Sequence, residues 1–185
     1  MNLPKIHKNF LSKETCQKFV HYIEQNDLWE NNGDGDWNSR SINLFSMNEE
    51  IREEMLDVRI QVKKTIQEDF NFTQDIYADI FQFVRWLEGN ALYPHADAEN
   101  PDGSPHPFPY RNFAAVLYLN DNYDGGQIYF PTLDNFRPEI EVGTLAIFPG
   151  TVEYLHGVTK ITSGTRYTIA GFFTYDSKYR DSYRI

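Results

Sequence analysis

Residues 140–175, IEVGTLAIFPGTVEYLHGVTKITSGTRYTIAGFFTY, decide the fold. Short runs rich in β-branched and aromatic residues alternate here with turn signals such as Gly143, Pro149-Gly150 and Ser163-Gly164. The runs predict strands at about 140–142, 144–148, 153–160 and 166–175. Short strands spaced this closely indicate a sandwich or barrel of antiparallel strands.

The preceding sequence continues this pattern and then changes to helical spacing. Further strands are predicted at 77–87 and 111–119, whereas apolar residues recur at helical intervals in 13–25 and from a capping box at 46–49 to about 69. Helices followed by strands predict an α+β fold, a double-stranded β-helix (jelly roll) with supporting N-terminal helices. We expect one domain over 1–185, with a helical support layer at 1–75 and a jelly-roll core at 76–176.

Composition excludes several classes of function. The formal net charge is −10 and no run of Lys and Arg occurs, so nucleic acid is not an expected substrate. The longest clean apolar stretch, 113–119, is too short to span a bilayer. A single cysteine, Cys16, precludes an intramolecular disulfide and fits a reducing compartment. The N-terminus lacks the apolar run of a signal peptide, so a cytoplasmic location is predicted. The oligomeric state cannot be inferred.

A candidate metal site lies in the stretch Leu92-Tyr93-Pro94-His95-Ala96-Asp97. In extended backbone, His95 and Asp97 point the same way, and His156 follows 59 residues after Asp97. Two histidines and one carboxylate are the ligand set of the facial triad that holds non-haem Fe(II) with open positions. An isolated H-x-D is weak evidence, so the prediction depends on what accompanies it.

The accompanying residues are Arg166 and Thr168, ten and twelve positions after His156. A hairpin turning at Ser163-Gly164 would place His156 and Arg166 on adjacent strands, with residues 166 and 168 on one face. An arginine inside a barrel needs a partner, because an unpaired buried charge is costly. A dicarboxylate would supply one, assisted by the hydroxyls of Thr168 and Tyr118. A metal triad beside a carboxylate clamp is the arrangement that a 2-oxoglutarate-dependent oxygenase requires.

Several motifs in one order resemble the prolyl 4-hydroxylase group of the Fe(II)/2-oxoglutarate oxygenases over about 83–175. They are Arg85-Trp86 before Gly89, Tyr93-Pro94-His95-Ala96-Asp97, Arg111 before Leu117-Tyr118-Leu119-Asn120, Gly125-Gly126 before Phe130-Pro131, Phe148-Pro149, His156-Gly157-Val158 and Gly164-x-Arg166. The resemblance implies that His95, Asp97 and His156 bind iron. It also implies that Arg166 pairs with the distal carboxylate of 2-oxoglutarate, with Tyr118 and Thr168 assisting.

Three positions depart from the family pattern. Leu92 and Trp86 stand where tyrosines are common, and Phe172 stands where a tryptophan is common. Arg166 replaces a frequent lysine and keeps its charge. The resemblance therefore implies that the iron and co-substrate residues are kept, while positions facing the prime substrate have changed.

Substrate contacts are predicted at six positions around the proposed site: Trp37, Arg40, Trp86, Tyr93, Arg111 and Phe172. The polar segment at 30–45 that contains Trp37 and Arg40 reads equally as a loop anchored by Trp37 or as a substrate lid. A proline-rich loop at 101–109 containing His106 is a further candidate.

The resemblance implies a dioxygenase that uses Fe(II), 2-oxoglutarate and O₂, with ascorbate as a candidate reductant. It would hydroxylate a C–H bond of a peptide or protein, with prolyl residues expected first. A free amino acid or small metabolite is the alternative substrate. The alternative hypothesis, from another class of protein function, is a non-catalytic jelly-roll binding module in which a metal such as zinc only stabilises the fold.

Overall fold

Two helices and two short strands precede the main run of strands. A computed structural model describes residues 2–31 and 37–183. In chain order the elements are β1 (Lys5–His7), α1 (Lys13–Gln25), β2 (Ser41–Asn43), α2 (Glu49–Asp69), β3 (Tyr77–Trp86), β4 (Leu92–His95), β5 (Phe113–Tyr118), β6 (Asp124–Gly125), β7 (Ile128–Tyr129), β8 (Leu145–Pro149), β9 (His156–Val158), β10 (Ile161–Ser163) and β11 (Arg166–Thr174).

The strands form one large and two small antiparallel sheets. The large sheet has six strands in the order β1-β8-β5-β11-β3-β2, and the smaller ones are β4-β9-β7 and β10-β6. The predicted α+β jelly roll is confirmed. β1 and β2 add to the edges of the large sheet, so the first 75 residues supply strands as well as helices.

Both helices cover the outer face of the large sheet. Ser12 caps α1 by accepting a hydrogen bond from the Thr15 amide at 3.1 Å, and Phe19 of α1 meets Phe83 of β3 edge to face at 5.3 Å. Buried residues of α2 recur at helical spacing and join the same core cluster: Ile51, Met55, Val58, Val62 and Ile66. In the described part of the chain, no helix has the length and apolar character needed to cross a bilayer.

Alternation along the strands separates this outer core from an inner cavity. Ile169 and Phe173 of β11 join the helix-covered core, whereas Arg166, Thr168 and Ala170 line the cavity on the other face. The period of two therefore directs every second residue of the central strands toward the cavity.

Three local predictions are wrong. The segment at 140–142 is not a strand, because Gly143 turns at φ 79° and its amide donates to the Tyr118 carbonyl at 2.8 Å. The predicted strand 153–160 is shorter than expected. A 3₁₀ turn at Val152–Tyr154 precedes β9, which covers only His156–Val158, and the next strand, β10, pairs with β6. The cap of α2 is Asn48, whose side chain accepts from the Ile51 amide at 2.9 Å, and not Ser46 of the capping box.

The predicted loop at 30–45 falls partly outside the described residues, since 32–36 are not described. Residues 37–40 form a turn, and Trp37 meets Trp86 edge to face at 5.8 Å. This contact agrees with the anchored reading, and the lid stays a prediction.

A buried ion pair attaches the C-terminal segment to α2. Arg59 Nη1 lies 2.5 Å from Asp181 Oδ2, and Arg59 Nη2 donates to the Tyr183 carbonyl at 2.8 Å. Burial lowers the pKa of Arg59 and raises that of Asp181, while the attraction between the two charges opposes both shifts. The Arg59 side chain is 1% exposed.

We expect Arg59→Met to lower the free energy of unfolding by about 3–5 kcal/mol, because it leaves the Asp181 carboxylate without its cation. Urea denaturation measures the change, and the double variant Arg59→Met/Asp181→Leu should recover part of it. Arg52→Met, on the same helix, is the control and should cost about 1 kcal/mol or less. Equal losses for Arg59→Met and Arg52→Met would show that the ion pair contributes little.

Candidate active site

The predicted metal ligands converge where β4 and β9 pair. His95 and His156 are direct cross-strand neighbours, and their ring centroids lie 4.4 Å apart. Asp97 follows β4 at a bend and is held there by the Ala98 amide, which donates to the Gly150 carbonyl at 2.9 Å. Asp97 Oδ1 lies 3.7 Å from His95 Nε2, and Oδ2 lies 3.8 Å from His156 Nε2.

Each imidazole is oriented by a backbone carbonyl two residues earlier. Nδ1 of His95 donates to the Tyr93 carbonyl at 3.0 Å, and Nδ1 of His156 donates to the Tyr154 carbonyl at 3.1 Å. A proton on Nδ1 leaves the Nε2 lone pair free, and such hydrogen bonds commonly orient histidine ligands. Both Nε2 atoms therefore lie near Asp97 with lone pairs available to bind a metal.

The residues fit a divalent metal such as Fe(II). One ligand atom from each of His95, Asp97 and His156 lies within 4.8 Å of the others. Asp97 Oδ2 is buried without a hydrogen-bond partner among the described residues. Burial lowers the pKa of His156, which keeps that imidazole neutral as a ligand must be. A cation would compensate the buried carboxylate and both lone pairs together.

Gly157 lets β9 fit between its two partner strands. A Cβ atom at this position would lie 2.7 Å from the Tyr129 ring and 2.8 Å from the Leu92 carbonyl oxygen. The glycine after His156 therefore permits the close strand spacing that brings His156 to His95.

The carboxylate clamp comes from the large sheet, across the cavity from the triad. His156 lies in the β4-β9-β7 sheet and Arg166 in the six-stranded sheet, so the prediction that they occupy adjacent strands is wrong. The chain between them forms β10, which pairs with β6 instead. Residues 166 and 168 share one face as predicted, and Thr168 lies directly opposite Tyr118 of β5.

Arg166 is a buried cation with an incomplete set of partners. Its guanidinium carbon lies 4.9 Å from the Tyr118 ring centroid and 5.1 Å from that of Trp86. Within 2–31 and 37–183, neither Nε and Nη1 of Arg166 nor the Tyr118 hydroxyl has a hydrogen-bond partner. Burial raises the pKa of Tyr118, so the phenol stays protonated and can donate. Guanidinium nitrogens and a phenol hydroxyl are donors that commonly bind a carboxylate.

Gly126 makes room for this clamp. Its φ is +61°, and a Cβ there would lie 2.2 Å from Ile161 Cδ1 and 3.2 Å from Arg166 Cδ. The second glycine of the Gly125-Gly126 pair is thus required both by its backbone conformation and by the Arg166 side chain.

Triad and clamp line one cavity of about 540 Å³. The three metal-ligand candidates and Arg166 with Thr168 contribute to its wall, together with Trp37, Trp86, Arg111 and Phe172 from the predicted substrate contacts. His106 of the proline-rich loop lines it as well. Arg40 and Tyr93 do not: Arg40 is buried against the Trp86 ring at 4.1 Å, and Tyr93 is 90% exposed.

A family model described as the 2OG-Fe(II) oxygenase superfamily matches residues 81–174, half of the chain. The chain belongs to this superfamily. Fe(II), 2-oxoglutarate and O₂ are therefore its expected cofactors, as predicted, while the use of ascorbate stays a prediction.

Curated relatives are prolyl 3-hydroxylases. Prolyl 3-hydroxylase 1 of Homo sapiens is 36% identical over 85 residues, and prolyl 3-hydroxylase 2 of Mus musculus is 34% identical over 87 residues. The matched region covers 44% of this chain in both comparisons. It spans only 12% of the length of these relatives.

Solved structures of prolyl hydroxylases share the fold. The collagen prolyl hydroxylase of Paramecium Bursaria Chlorella virus-1 superposes with a TM-score of 0.70 at 18% identity, covering 94% of this chain and 96% of that one. A prolyl hydroxylase from Trichoplax adhaerens, solved with a hypoxia inducible factor peptide fragment, gives 0.66 at 17% identity, covering 98% and 87%. These likenesses extend the fold assignment to nearly the whole chain.

Trp86, one of the departures from the prolyl 4-hydroxylase pattern, lies beside Arg166. It is the cross-strand neighbour of Arg166 and forms the cation–π contact described above. It also contacts Trp37 and the Arg40 guanidinium. Phe172, another departure, lies two rungs from Thr168 on the same face of the sheet. That these positions face the prime substrate stays a prediction.

The partner of Arg111 could not be predicted from the sequence. Its Nε donates to Asp79 Oδ2 at 2.7 Å, and its guanidinium carbon lies 3.9 Å from the Phe108 ring centroid and 4.0 Å from that of Phe172. Asp79 lies on β3, 32 residues earlier, and nothing in its local pattern distinguishes it from a surface aspartate. Arg111 is thus a fixed, charge-compensated part of the cavity wall.

Proposed function

We propose that this protein is an Fe(II)- and 2-oxoglutarate-dependent hydroxylase of peptide or protein side chains, with prolyl residues as the expected target. The observation that carries the proposal is one cavity that is lined both by the His95–Asp97–His156 cluster and by the buried Arg166, whose Nε and Nη1 have no hydrogen-bond partner among the described residues. A dicarboxylate that reached both ends would compensate both sets of unpaired polar atoms.

The residues have separate roles in this proposal. His95, Asp97 and His156 would hold the iron, with the Tyr93 and Tyr154 carbonyls orienting the two imidazoles. Iron with 2-oxoglutarate and O₂ supplies oxidative decarboxylation to succinate and CO₂ coupled to conversion of a substrate C–H bond into C–OH. Arg166 and Tyr118 would bind and orient the distal carboxylate of 2-oxoglutarate, with Thr168 beside them.

Support for a peptide substrate comes from the relatives. The curated relatives are prolyl 3-hydroxylases, the viral structure is a collagen prolyl hydroxylase, and the Trichoplax adhaerens structure contains a peptide fragment. A cavity of about 540 Å³ has room for a side chain beside 2-oxoglutarate. The position hydroxylated on a prolyl ring is left open by the proposal.

The test is titration of 2-oxoglutarate into the anaerobic Fe(II)-loaded protein. We expect a visible charge-transfer band on binding and, after exposure to O₂, succinate formation that proline-containing peptides stimulate above the uncoupled rate. Stimulation by free amino acids alone would favour a small-molecule hydroxylase. Absence of the band would favour a metal-stabilised binding module that lacks oxygenase chemistry.

A further inference from the structure

One polar side chain on the inner face of the large sheet has no role so far. Four residues of β3 line the cavity, namely Ile80, Gln82, Val84 and Trp86. Of these, Gln82 alone carries an amide. Its cross-strand neighbours are Asn43 of β2 on one side and Ala170 of β11 on the other.

The Gln82 amide is not used by the fold. In the described chain it has no side-chain hydrogen-bond partner. Asn43, the amide beside it, is fully engaged: its Nδ2 donates to Glu30, and its Oδ1 accepts from the Phe45 amide at 2.8 Å and the Ser46 amide at 3.2 Å. Asn43 is thus occupied by hydrogen bonds within the protein. Gln82, in contrast, lines the cavity with its NH₂ donor and its carbonyl acceptor available.

On the β11 side, the neighbours of Gln82 are small and apolar. Ala170 and, beyond it, Val116 occupy the same rung of the sheet. A ligand that covers the amide displaces its water, which costs free energy unless the ligand supplies a hydrogen-bonding partner. Small neighbours leave space above the rung for a ligand to supply that partner.

Gln82 lies outside the carboxylate clamp. The rung before it contains Thr168 between Val84 and Tyr118, and the rung after it contains Phe172 between Ile80 and Ala114. Adjacent rungs on one face are two residues, or about 7 Å, apart along a strand. The amide is therefore displaced from the clamp toward Phe172 and Arg111, the part of the cavity left for the prime substrate.

We propose that Gln82 is a specificity-determining residue that binds the backbone of a peptide substrate. Its carbonyl oxygen accepts the N–H of one substrate residue, and its NH₂ group donates to the C=O of the same residue, since in a trans peptide chain these two groups belong to the peptide bonds on either side of one Cα. Neither a free carboxylate nor a free ammonium group offers both partners. This inference rests on the proposed function and narrows its substrate to a chain with peptide bonds on at least one side of the reacting residue.

The test compares Gln82→Leu with the unchanged protein and with Gln17→Leu, which makes the same change at an exposed position of α1. The probes are N-acetylated, C-amidated glycine pentapeptides that carry each of the twenty residues at the centre, and the corresponding free amino acids. Binding is followed through the fluorescence of Trp37 and Trp86, which line the cavity, so no turnover is needed. Succinate formation is measured separately.

We expect at least one capped peptide to bind, and Gln82→Leu to weaken it about tenfold, the effect of losing a hydrogen-bonded pair. The KM for 2-oxoglutarate should not change, and Gln17→Leu should behave like the unchanged protein in peptide affinity and in its uncoupled succinate rate. Binding of free amino acids but of no peptide overturns the inference, as does a Gln82→Leu variant with unchanged peptide affinity. A parallel rise in the KM for 2-oxoglutarate would assign Gln82 to the co-substrate instead. Failure of the proposed function appears differently, as absent succinate formation with peptide binding intact.

Discussion

Replacement of Arg166 with alanine is expected to abolish 2-oxoglutarate binding while leaving Fe(II) binding nearly intact. Arg166 lines the cavity from the six-stranded sheet, whereas the three proposed ligands lie on the β4-β9-β7 sheet and at the bend that follows β4. Removing one partner of a desolvated, charge-assisted pair weakens binding by at least about 100-fold. Arg166→Lys keeps the charge but lacks the planar pair of donors. Its affinity for 2-oxoglutarate should lie between those of Arg166→Ala and the unchanged protein.

Anaerobic equilibrium dialysis with Fe(II), followed by titration of 2-oxoglutarate, measures the two affinities separately. Arg137→Ala is the matched control, because Arg137 is exposed and donates to Gln127 Oε1 at 3.0 Å. If Arg166→Ala lost Fe(II) to the same extent as His156→Ala, the assignment of Arg166 to 2-oxoglutarate binding and of His156 to metal binding would be contradicted.

A second large effect is expected for His156→Ala, which should lose metal and 2-oxoglutarate together. In the proposed site this imidazole is one of three protein ligands found among residues 2–31 and 37–183, and the co-substrate would chelate the metal that they hold. At a metal concentration 100 times the dissociation constant, binding stabilises a native protein by about 2.7 kcal/mol. We expect this increment in the unchanged protein and its loss in the variant.

Urea unfolding with and without Fe(II) under anaerobic conditions measures that increment. His156 also packs against Phe148 and Phe130, at centroid distances of 4.6 Å and 5.9 Å, so the variant will be less stable without metal as well. Comparing each variant with itself removes this packing effect. His106→Ala, which changes a cavity histidine outside the cluster, should keep the full increment. An equal loss in both histidine variants would refute the assignment of His156 as a ligand.

Helix positions were predictable because their signals are local. α1 begins and ends where predicted, since its cap, Ser12, and its buried residues lie within a few turns of one another. α2 ends where predicted, but its cap is Asn48 and not the predicted Ser46. Ser46 is instead the last residue of a separate 3₁₀ turn over Leu44–Ser46, which Asn43 caps. The strand pairs at the edges depend on partners far away in the chain, and β1 and β2 were missed for that reason.

The sequence alone determined which residue types are present for chemistry: two histidines and an aspartate with ligand spacing, and an arginine ten residues after His156. It also determined the alternation that directs Arg166 and Thr168 to one face of a strand. These features are covalent or local, so they can be read without knowing any partner.

Only the tertiary structure decided which sheet each of these residues occupies. Residues 161–163 pair with β6 instead of continuing β9, and this long-range choice places His156 and Arg166 on opposite walls of the cavity. The pairing of Asp79 with Arg111 and the position of Gln82 in the cavity wall also arise only when β3 joins β11. The physical reason is that the burial and hydrogen bonding of a side chain depend on strand partners, which local sequence does not specify.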